Sequence, residues 1–331
     1  MSVTTEATRH QSAFVVHDPA FFAVIGDTPR LELVVETDAH EGPVYVASED
    51  ALYFTSLPAV VDVPAPAFRR VAIRRIALDG ERFGLEPERV TTLVEDTNAA
   101  NGMALDADGR LVVCEQGSRS DHAAITRIDP EAGSRQLIVA EWGGLRLNSP
   151  NDVVVAPDGA LWFTDPTYGH LQGFRPEPQI GDYVYRYDPT TERLAVVADD
   201  FDKPNGLVFS PDGSVLYVTD SGANQEAGSY YPGRPHHIVA FDVAGGRHLV
   251  NRRLFAVTTP GFPDGVTVDA AGRVYASAFS GVQVFAPDGD LMGEIRLPGA
   301  VNFTFGGPDR NILYITADTA VWAAVLDTKG A

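Results

Sequence analysis

The sequence predicts an all-β fold, a six-bladed β-propeller with four-stranded antiparallel blades. Three observations carry that expectation. Apolar runs are short, rich in Val, Ile, Tyr, Phe and Thr, and broken by Gly, Pro, Asp and Asn, which is the pattern of many short strands. The runs recur as one unit of strand, tight turn, strand. That unit occurs six times, starting at Glu41, Asn101, Asn151, Asn205, Asp264 and Asn302. Multi-strand units repeating every ~40–50 residues indicate propeller blades.

The four sharpest copies run Asn101–Glu115, Asn151–Asp165, Asn205–Asp220 and Asp264–Ser277. Each has a central turn pair: Asp108-Gly109, Asp158-Gly159, Asp212-Gly213 and Ala271-Gly272. Such pairs supply the positive φ that a tight hairpin needs. Two further strands follow, as in Asp182–Tyr187 with Arg193–Val197, and Gly281–Phe285 with Leu291–Leu297. Looser copies begin at Glu41 and Asn302. The last is one strand short, since only Ala320–Leu326 follows Asn311–Thr316. The stretch Leu31–Thr37 is expected to supply the missing strand, which would close the ring and remove an exposed edge. The expected organisation is an N-terminal extension over 1–30, partly disordered, and a single catalytic propeller over 31–331. Leu57–Phe68, rich in proline, reads as a loop within the first blade.

Composition bounds the partners. The chain has 331 residues, 44% of them hydrophobic, and a net charge of −20. So acidic a surface repels phosphate backbones and anionic lipids, which argues against nucleic acid and membrane as partners. A single cysteine, Cys114, permits no intrachain disulfide. Met1–Gln11 lacks the apolar core of a signal peptide, and no stretch reaches the ~18 apolar residues of a membrane span. The expectation is a soluble, cytoplasmic protein, with oligomeric state left open.

In a propeller blade, the start of the first strand and the end of the second share a face. The six starts should therefore surround one mouth of the axial channel, with the second-strand ends Ser56, Glu115, Asp165, Asp220 and Ser277 near them. Every start carries a side-chain oxygen, and none is Lys, Arg or Cys. Converging carboxylates repel unless protonated or paired. A hard cation relieves them, and carboxylate with amide oxygens is the donor set that suits Ca²⁺. Zn²⁺ would favour His or Cys, absent at these places; Zn²⁺, Mg²⁺ and Mn²⁺ remain as other occupants. For any single Asn or Asp, a plain turn-capping role is the alternative.

The motifs Glu41-Gly42-Pro43, Ser149-Pro150-Asn151-Asp152, Phe163-Thr164-Asp165-Pro166, Pro204-Asn205-Gly206-Leu207, Pro263-Asp264-Gly265 and Phe305-Gly306-Gly307-Pro308 follow in this order. With Tyr168-Gly169, they give a sequence that resembles the calcium-dependent lactonases that include gluconolactonase and the senescence-marker protein regucalcin. It is more distantly similar to diisopropylfluorophosphatase. The resemblance covers nearly all of 31–326. It implies a metal held by Glu41, Asn151, Asn205 and Asp264, and a supporting or substrate role for Asp152. Asn101-Gly102 and Cys114–Gly117 look like the gluconolactonase branch. His170 departs from the apolar residue that often follows Tyr-Gly in this family. The loops Gly169–Asp182 and Gly222–His237 should overhang the active mouth and govern the substrate.

The functional expectation is hydrolysis of a small-molecule lactone with Ca²⁺ as cofactor. Asp264 is the candidate catalytic residue, acting as base or alternatively as nucleophile. Asn101, Glu115, Asp152, Tyr168 and His170 are candidate substrate contacts; His122, His236 and His237 are more simply loop residues. Ser149 and Ser221 lack a nucleophile-elbow setting, and no phosphate-binding glycine motif precedes a helix. Two other readings stay open: the same fold and metal used for phosphotriester hydrolysis or for a biosynthetic cyclisation or isomerisation, and a binding propeller with structural Ca²⁺.

Overall fold

The computed structural model describes residues 13–61 and 68–331. It is a six-bladed propeller, and the blades follow the repeats. The first is Glu41–Val46, Ala51–Thr55, Phe68–Ala77 and Val90–Thr97. The second is Ala100–Leu105, Leu111–Glu115, Ala124–Ile128 and Arg135–Val139. The third is Val153–Val155, Leu161–Asp165, Tyr183–Asp188 and Arg193–Ala198. The fourth is Pro204–Phe209, Val215–Asp220, His237–Ala244 and His248–Val257. The fifth is Val266–Val268, Val274–Ala278, Gly281–Phe285 and Leu291–Arg296. The first strands touch their neighbours all the way round and form the channel wall.

The sixth blade closes the ring with strands from both ends of the sequence. Asn302–Gly306, Ile312–Thr316 and Asp318–Val325 are joined by Arg30–Ala39 as outermost strand. The pairing is antiparallel, with Leu33 opposite Trp322 and Glu36 opposite Ala320. Closure leaves no open sheet edge inside the ring.

Before the ring, Phe14–Val16 adds a fifth strand to the fifth blade by pairing with Leu291–Arg296. The turn that follows buries Phe21, Val24 and Ile25 against that blade and the sixth. Residues 1–12 of the expected extension lie outside the described residues. Leu57–Phe68 does so in part, since 62–67 are not described; Ala59–Val61 is a short strand paired with the first blade's third strand.

Among the described residues the core forms six interblade clusters. Each apolar strand face packs on the next blade, as in Leu52, Phe54, Ile312 and Tyr314 between the sixth and first, or Trp162, Val184, Leu216 and Phe241 between the third and fourth. In the turn pairs only the glycine takes positive φ, at 78° in Gly109 and Gly159. No helix among the described residues is long and apolar enough to cross a membrane.

Candidate active site

At one mouth of the channel lies a cavity of about 340 Å³. Its lining includes Glu41, Asn101, Asn151, Asn205 and Asp264, five of the six repeat starts. They converge because each opens a first strand, and those strands splay around one axis. Each except Asn151 is followed by glycine, for a steric reason. A Cβ on Gly102 would stand 2.6 Å from the Asn151 carbonyl oxygen, and one on Gly206 would stand 2.5 Å from that of Asp264. The missing side chain lets the next blade's first strand come close, and the approach is sealed by Gly102 N–H donating to Asn151 O at 2.8 Å.

A second device repeats. The threonine near the end of a second strand donates its hydroxyl to the carbonyl of the next site residue in the ring. Thr55 reaches Asn101 O at 3.3 Å, Thr164 reaches Asn205 O at 2.7 Å, and Thr219 reaches Asp264 O at 3.0 Å. Thr316 holds His40 O at 2.8 Å. These buried hydroxyls fix the backbone of residues whose side chains must aim at the axis.

The sixth start does a different job. Asn302 donates to Glu41 Oε2 at 2.7 Å, while its own oxygen accepts from Phe303 N–H. It lines a second cavity walled by the first strands, as does Asp152. The Asp152 oxygens accept from Val153 N–H at 2.9 Å and Leu207 N–H at 3.3 Å, so it braces the third and fourth blades beneath the cavity. Burial pushes its carboxyl up to about 7 against those two hydrogen bonds.

Burial also raises Glu41 well above the ordinary carboxylate range, and the nearby Asp264 charge raises it further. Asp264 is pushed up to about 6 by burial, opposed by His40 and by a hydrogen bond from Asn205. Among the described residues no three His, Cys, Asp or Glu side chains group to hold a metal ion. The set here is mixed: two crowded carboxylates with two or three carboxamides. That chemistry fits a hard cation, which would neutralise the pair and accept the amide oxygens.

The second-strand ends do not join the cavity as a group; of the five, only Ser56 lines it. Glu115 is fully buried, with its carboxylate held at 2.6 and 2.7 Å by Arg135 and at 2.9 Å by Thr126, and it lines no part of the cavity. Asp165 accepts the N–H groups of Asn148 and Ser149, and Asp220 those of Asp202, Lys203 and Gly222. Each ties the loop entering its blade. Ser277 accepts the Asp264 N–H at 2.7 Å.

Of the other candidates, Tyr168 lines the cavity and His170 does not. Tyr168–Leu171 forms one helical turn, so positions four apart share a face. Tyr168 and Gln172 face the cavity, while His170 sits in a separate cleft with Arg146, Thr167 and Glu177. Arg175 pins the rest of that loop by donating to the carbonyls of Asn148, Ser118, Asp121 and Leu147 at 2.7–3.0 Å. His122, His236 and His237 are absent from the lining.

Sequence reasoning missed His40, Gln116, Gln172 and Asn224, all in the lining. His40 lies just before a repeat start, and its Nδ1 is 2.7 Å from an oxygen of Asp318. That partner is 278 residues away, so no local pattern reveals the pair. Asn224 Oδ1 is buried and has no protein partner, leaving an acceptor for a bound molecule.

Fold and site together define a class of propeller in which backbone-anchored, oxygen-bearing side chains ring the mouth of an axial channel. The chain belongs to the SMP-30/gluconolactonase/LRE-like family, whose model matches residues 39–319. A gluconolactonase of Zymomonas mobilis is 29% identical over 84% of this chain and 75% of its own length. The lactonohydrolase oryH of Aspergillus oryzae is 35% identical, over 93% of this chain and 79% of its own. The solved gluconolactonase of Xanthomonas campestris superposes with a TM-score of 0.76 at 36% identity, covering 95% of this chain and 94% of that one.

Proposed function

We propose that this protein is a divalent-cation-dependent lactonase that opens a hydroxylated lactone in the axial cavity, with Ca²⁺ as the ion. The observation that carries it is the convergence of Glu41, Asn151, Asn205 and Asp264 on one amide-lined cavity. That convergence occurs in a chain whose relatives are named for lactone hydrolysis. Those four residues would hold the ion, with Asn101 beside them. When bound, the ion supplies charge stabilisation for the carbonyl oxygen and lowers the pKa of nearby water.

The remaining chemistry belongs to the side chains. Asn101, Gln116, Gln172 and Asn224 offer donors and acceptors to ring hydroxyls. Asp264, as the carboxylate, takes a proton from the water as the water oxygen bonds to the lactone carbonyl carbon. The ring C–O bond then breaks, and the same carboxyl returns its proton to the departing alkoxide. The product is an open hydroxy acid. Its new carboxylate leaves a protein of net charge −20 by repulsion.

Asp264→Asn separates the roles. It keeps size and one ligating oxygen and removes the base. Turnover of an aldonolactone at saturating Ca²⁺ should fall about 100-fold or more, the scale for losing general base catalysis. Ca²⁺ affinity by calorimetry should fall less. Chelation of the wild type should abolish turnover, and Ca²⁺ should restore it. Full turnover in the chelated enzyme would overturn the metal dependence. Near-wild-type turnover in Asp264→Asn would remove Asp264 from the proton transfer.

A further inference from the structure

Asp264 borders a second hollow. On its far side lies a groove of about 260 Å³, walled by Phe262, Phe279, Ala278, Ala300 and Val301. Asp264 lines both this groove and the central cavity, so a molecule held at that carboxylate can extend into either. The two differ in chemistry. The cavity wall is rich in carboxamides, and the groove wall is mostly apolar.

Two polar groups of the groove each have a protein partner. Ser277 Oγ accepts from Asp264 N–H, and Asp318 pairs with His40. At the outer end three rings gather. Phe262 and Phe279 meet edge to face at 5.4 Å, and Tyr230 lies 5.1 Å from Phe279. Phe279 is 47% exposed and Tyr230 38% exposed. Half-exposed clustered aromatics on so acidic a protein mark a binding surface.

We propose that this groove is a subsite for an apolar substituent of the lactone, an alkyl or aryl group on the ring carbon beside the ring oxygen. The inference rests on the lactonase reading above and narrows its substrate class. A sugar unit would find no side-chain hydrogen-bond partner along the apolar stretch Phe262, Ala278, Phe279, Ala300 and Val301. A charged substituent would meet Asp264 and Asp318. An alkyl or aryl chain needs neither, and each methylene it buries releases water from itself and from the rings. Tyr230 packs on Phe279 from outside the groove and belongs to the loop Gly222–His237, which also brings Asn224 and Ala227 to the cavity, so one loop borders both compartments.

The test uses γ-lactones with side chains from none to six carbons, beside γ-lactams carrying the same chains, which bind without being opened. In the wild type, kcat/KM for the lactones and affinity for the lactams should each rise about 2- to 4-fold per methylene, the range of partial to full burial. The rise should stop once the groove is filled. Phe279→Ser and Tyr230→Ala change exposed rings, and thermal melts verify that both variants fold. In Phe279→Ser the slope against chain length should flatten for both series. Tyr230→Ala should flatten it in part. A wild-type slope of zero, or an unaltered slope in Phe279→Ser, overturns the subsite. Chain-dependent lactam binding without turnover of any lactone, an aldonolactone included, overturns the lactonase reading and leaves the subsite standing.

Discussion

Glu115 shows how one side chain's bearing decides between chemistry and scaffold. It ends a second strand near the active face, yet its carboxylate turns away from the axis to Arg135 and Thr126. A buried carboxylate with a bidentate partner stabilises the blade only while both are present. Glu115→Gln should therefore lower stability by about 1–3 kcal/mol, the range for disturbing a buried charge-assisted hydrogen bond. The KM for lactone should stay unchanged; a urea melt beside steady-state kinetics checks both. A raised KM with unaltered stability would return Glu115 to the substrate. The cause of the difference from Thr164 and Thr219 is strand alternation. Adjacent side chains face opposite ways, so the threonines reach the next blade's site residue while Asp165 and Asp220 turn back to their own loops.

The elements that carry the site are short and borrow rigidity from neighbours. Thr219 supplies one of two donors to the Asp264 carbonyl, the other being Gly206 N–H at 3.2 Å. Thr219→Val keeps the shape and removes that donor. It should cost about 1 kcal/mol of stability and lower kcat several-fold by loosening the base, with KM nearly constant. Thermal melts and kinetics on one preparation test this, and an undiminished kcat would show that Gly206 suffices. The loop Gly169–Asp182 depends on Arg175 in the same manner. Arg175→Met removes a donor from four carbonyls, of which only that of Asp121 keeps another, the Ser118 N–H, so the loop should open locally while the blades persist. Hydrogen exchange over 169–182 should accelerate, and kcat/KM should fall about 10-fold or more as Tyr168 and Gln172 lose their seats. Unchanged exchange there would contradict the anchoring role. These dependencies explain what could be read in advance. The repeat, the turns and the polar starts are local signals, and Glu41, Asn101, Asn151, Asn205 and Asp264 met in one cavity. His40 with Asp318, the far side of the Tyr168–Leu171 turn, and the Asn302 brace on Glu41 arise only when distant segments pack. A residue's distance from the next motif says nothing about them.

For the molecule as a whole, stability is shared among six similar interfaces, and the ring is complete only when Arg30–Ala39 seats on Asp318–Val325. Val34, in that outermost strand, is fully buried between the sixth and first blades. Val34→Asp places an unpaired charge there, a change expected to exceed 4 kcal/mol. Loss of cooperative urea unfolding should follow; a cooperative transition within 1 kcal/mol of wild type, the scale of an ordinary substitution, would show that the ring tolerates an open sixth blade.

The same pairing sets an order on synthesis. Arg30–Ala39 leaves the ribosome well before the strand it must join, which is made almost three hundred residues later. Until then most of its backbone donors and acceptors have no permanent partner, the Leu33 and Val34 carbonyls held by Gly84 and Leu85 N–H aside, and a stretch rich in Leu, Val and Glu must wait without joining another chain. Five blades can assemble from neighbouring sequence while the sixth cannot. Folding should thus show a late, slow step whose rate follows the chain separation of the closing strands. Residues 24 and 327 already touch through the Asp327 N–H and the Val24 carbonyl. A circular permutant that joins these two ends and opens a hairpin loop elsewhere would make the sixth blade local and shift the wait to whichever blade was cut.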